Sequence, residues 1–222
     1  MSQLDMTKKT YDRDILALDS VELEQFVLDW VYSKKSKYLE TTRLSGAGDL
    51  GRDVVGFLSE KKHEGAWHNY QCKQYAKPIS VDLALLEVGK ILYYAFMGKF
   101  TAPAAYFFVA PRGVNRNFED LLFNPSRFKD KLTNEWDECC AEKIIKGQRI
   151  TLDSSLEEFI NGFNFAVIKR INLSDMLIDP SVAPVLFKWF GSDPGPAPKG
   201  AAPVAIQGGE MNYVTQLLEA YG

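Results

Sequence analysis

Apolar positions first fall into a helical rhythm at Leu23, Phe26, Val27, Trp30 and Val31, which line one face of a helix. Asp19 and Glu22 stand at capping-box spacing, so this helix is expected to begin directly after Asp19. A basic, polar connection (33–37) leads to a short predicted strand at 38–44. The stretch Ser45-Gly46-Ala47-Gly48-Asp49-Leu50-Gly51 then has to turn tightly. Two β-leaning runs, 52–58 and 67–75, flank the charged segment 59–65 and predict an antiparallel hairpin. Ser80 is placed to cap a second helix that carries Val81, Leu85, Val88 and Leu92 as far as Gly98. The run 104–110 (AAYFFVA) lacks polar alternation and predicts a strand buried on both faces. With a helix between them, the second hairpin strand and this run should pair in parallel. The fold class that follows is α/β, a mixed central sheet flanked by helices.

Beyond residue 112 the pattern is mainly helical. Leu121, Leu122, Phe128, Leu132, Trp136 and Ile144 are expected inside, and Ser154 is expected to cap a helix bearing Leu156, Phe159 and Phe163. The run 165–171 (FAVIKRI) suits strand and helix equally. Residues 191–210 are rich in proline and glycine and read as a linker, and 211–222 read as an amphipathic helix too short to be stable alone. Either that helix docks back or it opens a further module. Residues 1–190 are therefore expected to form one domain, with a core at about 19–111 and a helical extension over 112–190.

Composition narrows the function classes. A chain of 222 residues that is 46% hydrophobic can bury one sizeable core. The net charge of −3 gives no global attraction to nucleic acid. No uninterrupted apolar run reaches the roughly 20 residues of a membrane span, and the first residues lack a signal-peptide core, so a cytoplasmic protein without a membrane span is expected. Cys72, Cys139 and Cys140 have no CxxC spacing, and His63 and His68 lie far from the adjacent pair. Free thiols and no structural zinc are expected. His68 and Cys72 lie roughly 13 Å apart along a strand, too far for a Cys-His nucleophile. The glycine-rich stretch lacks the GxxxxGK[ST] order of a phosphate-binding loop.

The hairpin carries the chemistry. Gln71 and Lys73 share a strand face, and a hairpin folded about His63 would set Asp53 opposite Lys73, where cross-strand neighbours are about 4.5 to 5.5 Å apart. The Asp53 carboxylate, the Gln71 amide oxygen and the Lys73 ammonium could then meet at one point. A carboxylate, an amide oxygen and a backbone carbonyl there, that of Cys72, suit Mg²⁺ or Mn²⁺, with Lys73 orienting or helping to deprotonate the attacking water.

Gly48-Asp49-Leu50-Gly51-Arg52-Asp53-Val54 followed by Gln71-Cys72-Lys73-Gln74-Tyr75 resembles the PD-(D/E)xK restriction-endonuclease-like superfamily, in particular its Mrr-type Q-x-K branch. Arg52 departs from that branch, which has an apolar residue before the aspartate. The resemblance implies a restriction-endonuclease-like core with Asp53 as metal-binding aspartate, Gln71 as second ligand, Lys73 as catalytic lysine and Glu24 as the first-helix glutamate that completes the site. It also implies a Mg²⁺- or Mn²⁺-dependent endonuclease acting on double-stranded DNA as a homodimer or larger oligomer, similar to nuclease domains of bacterial anti-phage effectors. A further domain or partner protein would lie beyond the linker. DNA contacts are expected from Lys34, Lys35 and Lys37, from Lys61 and Lys62, from Arg112 and Arg116, and from Tyr75 and Lys77 beside the motif. The competing reading keeps the fold without catalysis, as a module that binds DNA or a protein partner.

The linker reading yields the first prediction. Limited trypsin digestion is expected to cut near Lys199 before any site in the core, because a Pro- and Gly-rich stretch has few side chains with which to bury its backbone. Peptide mapping that finds core sites cut first would refute the boundary.

Overall fold

A computed structural model describes residues 11–34, 36–44, 46 and 48–191. The expected linker beyond Gly191, the helix expected at 211–222, Lys35 and two residues of the glycine-rich stretch lie outside the described residues. The elements run α1 (Asp12–Ala17), α2 (Ser20–Ser33), β1 (Glu40–Arg43), β2 (Val54–Phe57), β3 (Trp67–Cys72), α3 (Val81–Phe96) and β4 (Ala105–Val109). They continue as α4 (Arg116–Phe123), α5 (Pro125–Asn134), α6 (Trp136–Cys139), α7 (Ser154–Gly162), β5 (Ile168–Ile171), α8 (Leu173–Ile178) and α9 (Ala183–Phe190).

Local chemistry starts the helices. Asp19 accepts a hydrogen bond from the Glu22 amide at 2.8 Å while Glu22 accepts one from the Asp19 amide at 2.8 Å, the reciprocal capping box at the head of α2. Ser80 caps α3 through the Leu83 amide. At α7 the cap is Asp153 rather than Ser154. The carboxylate accepts from the Leu156 amide at 2.9 Å, and Ser154 is the first helical residue.

The strands form one mixed sheet in the order β1-β2-β3-β4-β5, antiparallel for the first two pairings and parallel for the last two. Helix α3 is the crossover that makes β3 and β4 parallel, as its place in the sequence requires. The 165–171 run resolves into a 3₁₀ turn (Phe165–Val167) followed by β5, so the helical half also supplies an edge strand. β3 stops at Cys72, short of Tyr75. Within β4, Ala105 and Phe107 are only partly buried, so this strand is not covered evenly on both faces.

Side chains alternate between two cores. On one face Val55, Phe57, Trp67, Tyr106 and Phe108 pack with α3 and with residues of α4 to α7. On the other, Val54, Tyr70, Cys72 and Val109 pack with α1, α2, α8 and α9. Phe26 of α2 meets Trp189 and Phe190 of α9 at ring separations of 5.7 and 5.8 Å. The layers are therefore helix, sheet, helix. No helix among the described residues is long and apolar enough to cross a membrane.

One strand position has no room for a side chain. A Cβ on Gly56 would lie 2.6 Å from two ring carbons of Tyr38, which rests on the sheet there. Gly56→Ala is therefore expected to lower stability by about 1–3 kcal/mol, read from the urea midpoint. An unchanged midpoint would show that Tyr38 moves aside at no cost.

Candidate active site

The hairpin register is set by Val54 opposite Tyr70, which puts Asp53 across from Gln71 rather than Lys73. The turn (59–65) contains a 3₁₀ helix at Lys62–Glu64 and centres the hairpin one residue earlier than His63. A shift of two along one strand preserves the face, so Asp53, Gln71 and Lys73 still lie on the α3 side.

Asp53 is 8% exposed and Gln71 2%. Asp53 Oδ2 accepts hydrogen bonds from Gln71 Nε2 at 2.8 Å and from the Cys72 amide at 2.7 Å. Gln71 Oε1 instead accepts from the Tyr106 hydroxyl at 3.3 Å. The expected convergence of the Gln71 oxygen with Asp53 is thus corrected: Gln71 offers Asp53 its N–H, and the buried Tyr106 holds the oxygen away. Lys73 Nζ pairs with Glu87 of α3 at 2.6 Å. Glu24 of α2 pairs with Arg43 of β1 at 3.5 Å, and its field reaches Asp53 and Lys73.

The approach loop is fixed from within. Asp49 Oδ1 accepts from the Gly51 amide at 2.8 Å, and Gly51 adopts a φ of 89° that favours glycine. Arg52 donates to the Asp49 carbonyl at 2.7 Å and to His63 Nε2 at 2.9 Å, and lies 4.5 Å from the Phe100 ring centre. Arg52 therefore fastens the loop to the core, which accounts for a cation where an apolar residue was expected. A guanidinium cannot accept a hydrogen bond, so His63 holds its proton on Nδ1. Burial and Arg52 push its pKa down to about 4.

Burial raises the Asp53 carboxyl to about 7. Lys73 and the Cys72 amide oppose the rise, and Glu24 and Glu87 add to it. For Lys73, burial favours the neutral amine, but Glu87 and Asp53 together outweigh it and hold the ammonium above its ordinary pKa. An ammonium cannot take a proton. Paired with Glu87 in this way, Lys73 is set to orient a nucleophile or offset charge.

Three ion pairs neutralise three carboxylates here: Glu24 with Arg43, Asp49 with Lys90 at 3.5 Å, and Glu87 with Lys73. Asp53 is left without an ion-pair partner of its own and, being desolvated, only partly ionised at neutral pH. A hard oxygen of this kind could take a divalent cation, but Glu24, paired with Arg43, reaches Asp53 only through its field. Gln71 as seated does not fit as a ligand. Among the described residues no three His, Cys, Asp or Glu side chains gather as a metal cage, so a cation here would draw most of its ligands from water or substrate, as Mg²⁺ commonly does.

The expected DNA contacts separate into two groups. Lys61 and Lys62 sit in the hairpin turn, at least five residues and about 17 Å along the strand from Asp53, and Lys62 pairs with Glu40 at 2.8 Å. Lys34 lies about 15 Å along α2 from Glu24, ion-paired to Asp179 and 4.4 Å from the Trp30 ring centre. These lysines do not flank the site. Tyr75 and Lys77 do: they are exposed in the loop after β3, while Arg112 and Arg116 are exposed just after β4. A parallel bridge between Ile79 and Val114 ties the two loops together.

One participant carried a readable signal. Glu87 sits in the buried α3 stripe three residues after Ala84 and four before Ile91, where a charge needs a partner. Gln74 donates to the carbonyls of Ile15, Leu16 and Leu18 at 2.9 to 3.2 Å and so closes the end of α1. Tyr106 had no signal, being one more aromatic in an apolar run. A concavity of about 640 Å³ lined by Phe96, Pro103, Phe159 and Phe163 among others lies by the amino end of β4, away from Asp53. No family model, curated protein or solved structure matches the chain.

The raised Asp53 pKa has a thermodynamic signature. The folded chain keeps a proton that the unfolded chain releases between about pH 4 and about pH 7, so stability falls as pH rises through that window. In Asp53→Asn this loss, on the order of 4 kcal/mol, should vanish in urea titrations without divalent cations. Parallel stability profiles for the two proteins would show that Asp53 titrates normally.

Proposed function

We propose that the chain is a metal-dependent endonuclease that hydrolyses phosphodiester bonds of double-stranded DNA on a restriction-endonuclease-like core. The observation that carries this reading is the cluster of Asp53, Gln71 and Lys73, joined by the field of Glu24, at the carboxyl ends of the parallel strands β3 and β4. In open α/β sheets ligands bind at that end. The element order helix, two antiparallel pairings, crossover helix and parallel strand supports the same reading.

In this proposal Asp53 and Glu24 hold Mg²⁺ or Mn²⁺ together with the Cys72 carbonyl, and the ion, when bound, supplies Lewis acidity at the scissile phosphate. Gln71 and the Cys72 amide keep the Asp53 carboxylate in one orientation. The Lys73 ammonium, steadied by Glu87, offsets the negative charge that grows on the phosphoryl oxygens. Tyr75, Lys77, Arg112 and Arg116 contact the DNA backbone. Each chain has one such set, so one chain cuts one strand, and a double-strand break requires two chains, most simply a homodimer. A role as an effector in bacterial antiviral defence belongs to the same proposal. The buried Lys73–Glu87 pair favours a second reading, a nuclease-like module in which these residues only stabilise the fold.

Plasmid cleavage separates the two readings. With Mg²⁺ or Mn²⁺, supercoiled plasmid is expected to become nicked circles and, at higher protein concentration, linear DNA. EDTA or Ca²⁺ should abolish cutting. Lys73→Ala and Asp53→Ala are expected to lose at least about a hundredfold in rate with circular dichroism unchanged. Cleavage retained in a folded Lys73→Ala protein, or in EDTA, would sink the nuclease proposal.

A further inference from the structure

The sheet face opposite Asp53 carries a second charged cluster, which cleavage as proposed leaves unused. His68 and Tyr70 of β3, Phe107 of β4 and Lys169 of β5 share this face, and the register sets Phe107 beside both Tyr70 and Lys169. The Phe107 ring stacks on Tyr70 at 4.8 Å and lies 5.9 Å from the His68 ring. Lys37, from the connection before β1, brings its Nζ to 5.9 Å from the Phe107 ring centre and 5.3 Å from that of Tyr38. The Tyr38 hydroxyl is hydrogen-bonded to the Tyr70 hydroxyl at 2.5 Å and to His68 Nδ1 at 2.8 Å. That chain fixes the imidazole and leaves Nε2 without a hydrogen-bond partner among the described residues.

The charge here is unbalanced. Lys37 and Lys169 are both exposed, and neither makes an ion pair among the described residues. Asp179, whose field reaches Lys37, is already committed to Lys34 and to the amide and hydroxyl of Ser181, at 2.9 and 2.6 Å. Burial and the neighbouring cations lower the Lys37 pKa, and burial with Lys37 and Lys169 pushes His68 down to about 4. Cations that disfavour one another in this way gain from any anion placed among them.

We propose that this face binds a nucleoside phosphate, its phosphoryl group held by Lys37, Lys169 and His68 Nε2 and its base packed against Phe107. Ammonium groups beside an aromatic ring match a ligand that joins a phosphate to a flat base. Inorganic phosphate would use only the cations. Duplex DNA keeps its bases stacked inside and presents none to Phe107. The ligand is a free nucleotide or one residue of a single strand. The site faces α2 rather than α3, and it does not depend on the nuclease reading.

Calorimetry on the full chain without divalent cations, with ADP, pyrophosphate and a short single-stranded oligodeoxynucleotide as probes, tests this directly. ADP is expected to bind more tightly than pyrophosphate. Lys37→Ala and Lys169→Ala should each weaken it about tenfold. Phe107→Leu should bring ADP down to the affinity of pyrophosphate, with far-ultraviolet circular dichroism unchanged in every variant. Tighter binding of the oligonucleotide than of ADP would support the site and assign it to a strand, and the reverse order would assign it to a free nucleotide. No binding of either, or full affinity in the doubly substituted Lys37→Ala/Lys169→Ala protein, would overturn the site. Equal affinity for ADP and pyrophosphate would overturn the contact with the base.

Discussion

A carboxylate buried at the open end of a sheet must find donors, and Asp53 takes both of its own from β3. The ladder between β2 and β3 reaches Val54 and Tyr70 and goes no further. At Cys72 the amide would face an empty position, and the Asp53 side chain accepts it in place of a backbone carbonyl. The polypeptide before Asp53 is then free to leave the sheet as the glycine-rich loop, held by Arg52 and Asp49 instead of by strand pairing. Beyond Cys72, Lys73 stays in line with β4 by donating its backbone N–H to the Val109 carbonyl at 2.9 Å, and its ammonium reaches Glu87.

The same sheet separates two fields of opposite character. On the α3 side, Glu87 pairs with Lys73 and Asp49 with Lys90, which leaves Asp53, partly ionised near neutrality, as the carboxylate without an ion-pair partner of its own. On the α2 side, the carboxylate of Asp179 is consumed by Lys34 and Ser181, which leaves Lys37 and Lys169 as a residue of positive charge. A net charge of −3 conceals this local division, because each face balances separately against what packs on it.

Features decided within a few residues were legible in the sequence. The capping box of Asp19 and Glu22, the Ser80 cap and the parallel pairing imposed by α3 each depend on local spacing or on chain order. Asp53, Gln71 and Lys73 fell on one face because strand alternation alone determines that. What escaped depends on distant partners. The register turned on a 3₁₀ helix inside the hairpin turn, and the direction of the Gln71 amide on a tyrosine 35 positions away. The fate of Lys34 was set by an aspartate 145 positions on, reached only after the chain had completed β5 and α8. Capping motifs are read from neighbours, whereas the ends of long polar side chains are assigned by tertiary contacts.

The ion pairs around Asp53 also constrain the order of events in the proposed reaction. Glu24, Asp49 and Glu87 each have a cation, so every basic group in the cluster is already engaged when the chain is alone. A phosphodiester at Asp53 itself would therefore find the adjoining cations already paired and, once Asp53 ionises, a buried negative charge, with attraction coming only from the exposed Lys77, Arg112 and Arg116 farther out. Low dielectric around a group 8% exposed makes that repulsion stronger than it would be in water. Burial, offset in part by Lys73 and the Cys72 amide, holds the Asp53 pKa at about 7, so the group is only partly ionised at neutral pH and a compensating charge would complete its ionisation. Its two hydrogen bonds already fall on one oxygen, Oδ2, so compensation has to come through the other. In the proposed reaction the carboxylate would accordingly acquire a cation before DNA is accommodated, and Lys73 would act on the phosphate only after the sign of the site had changed.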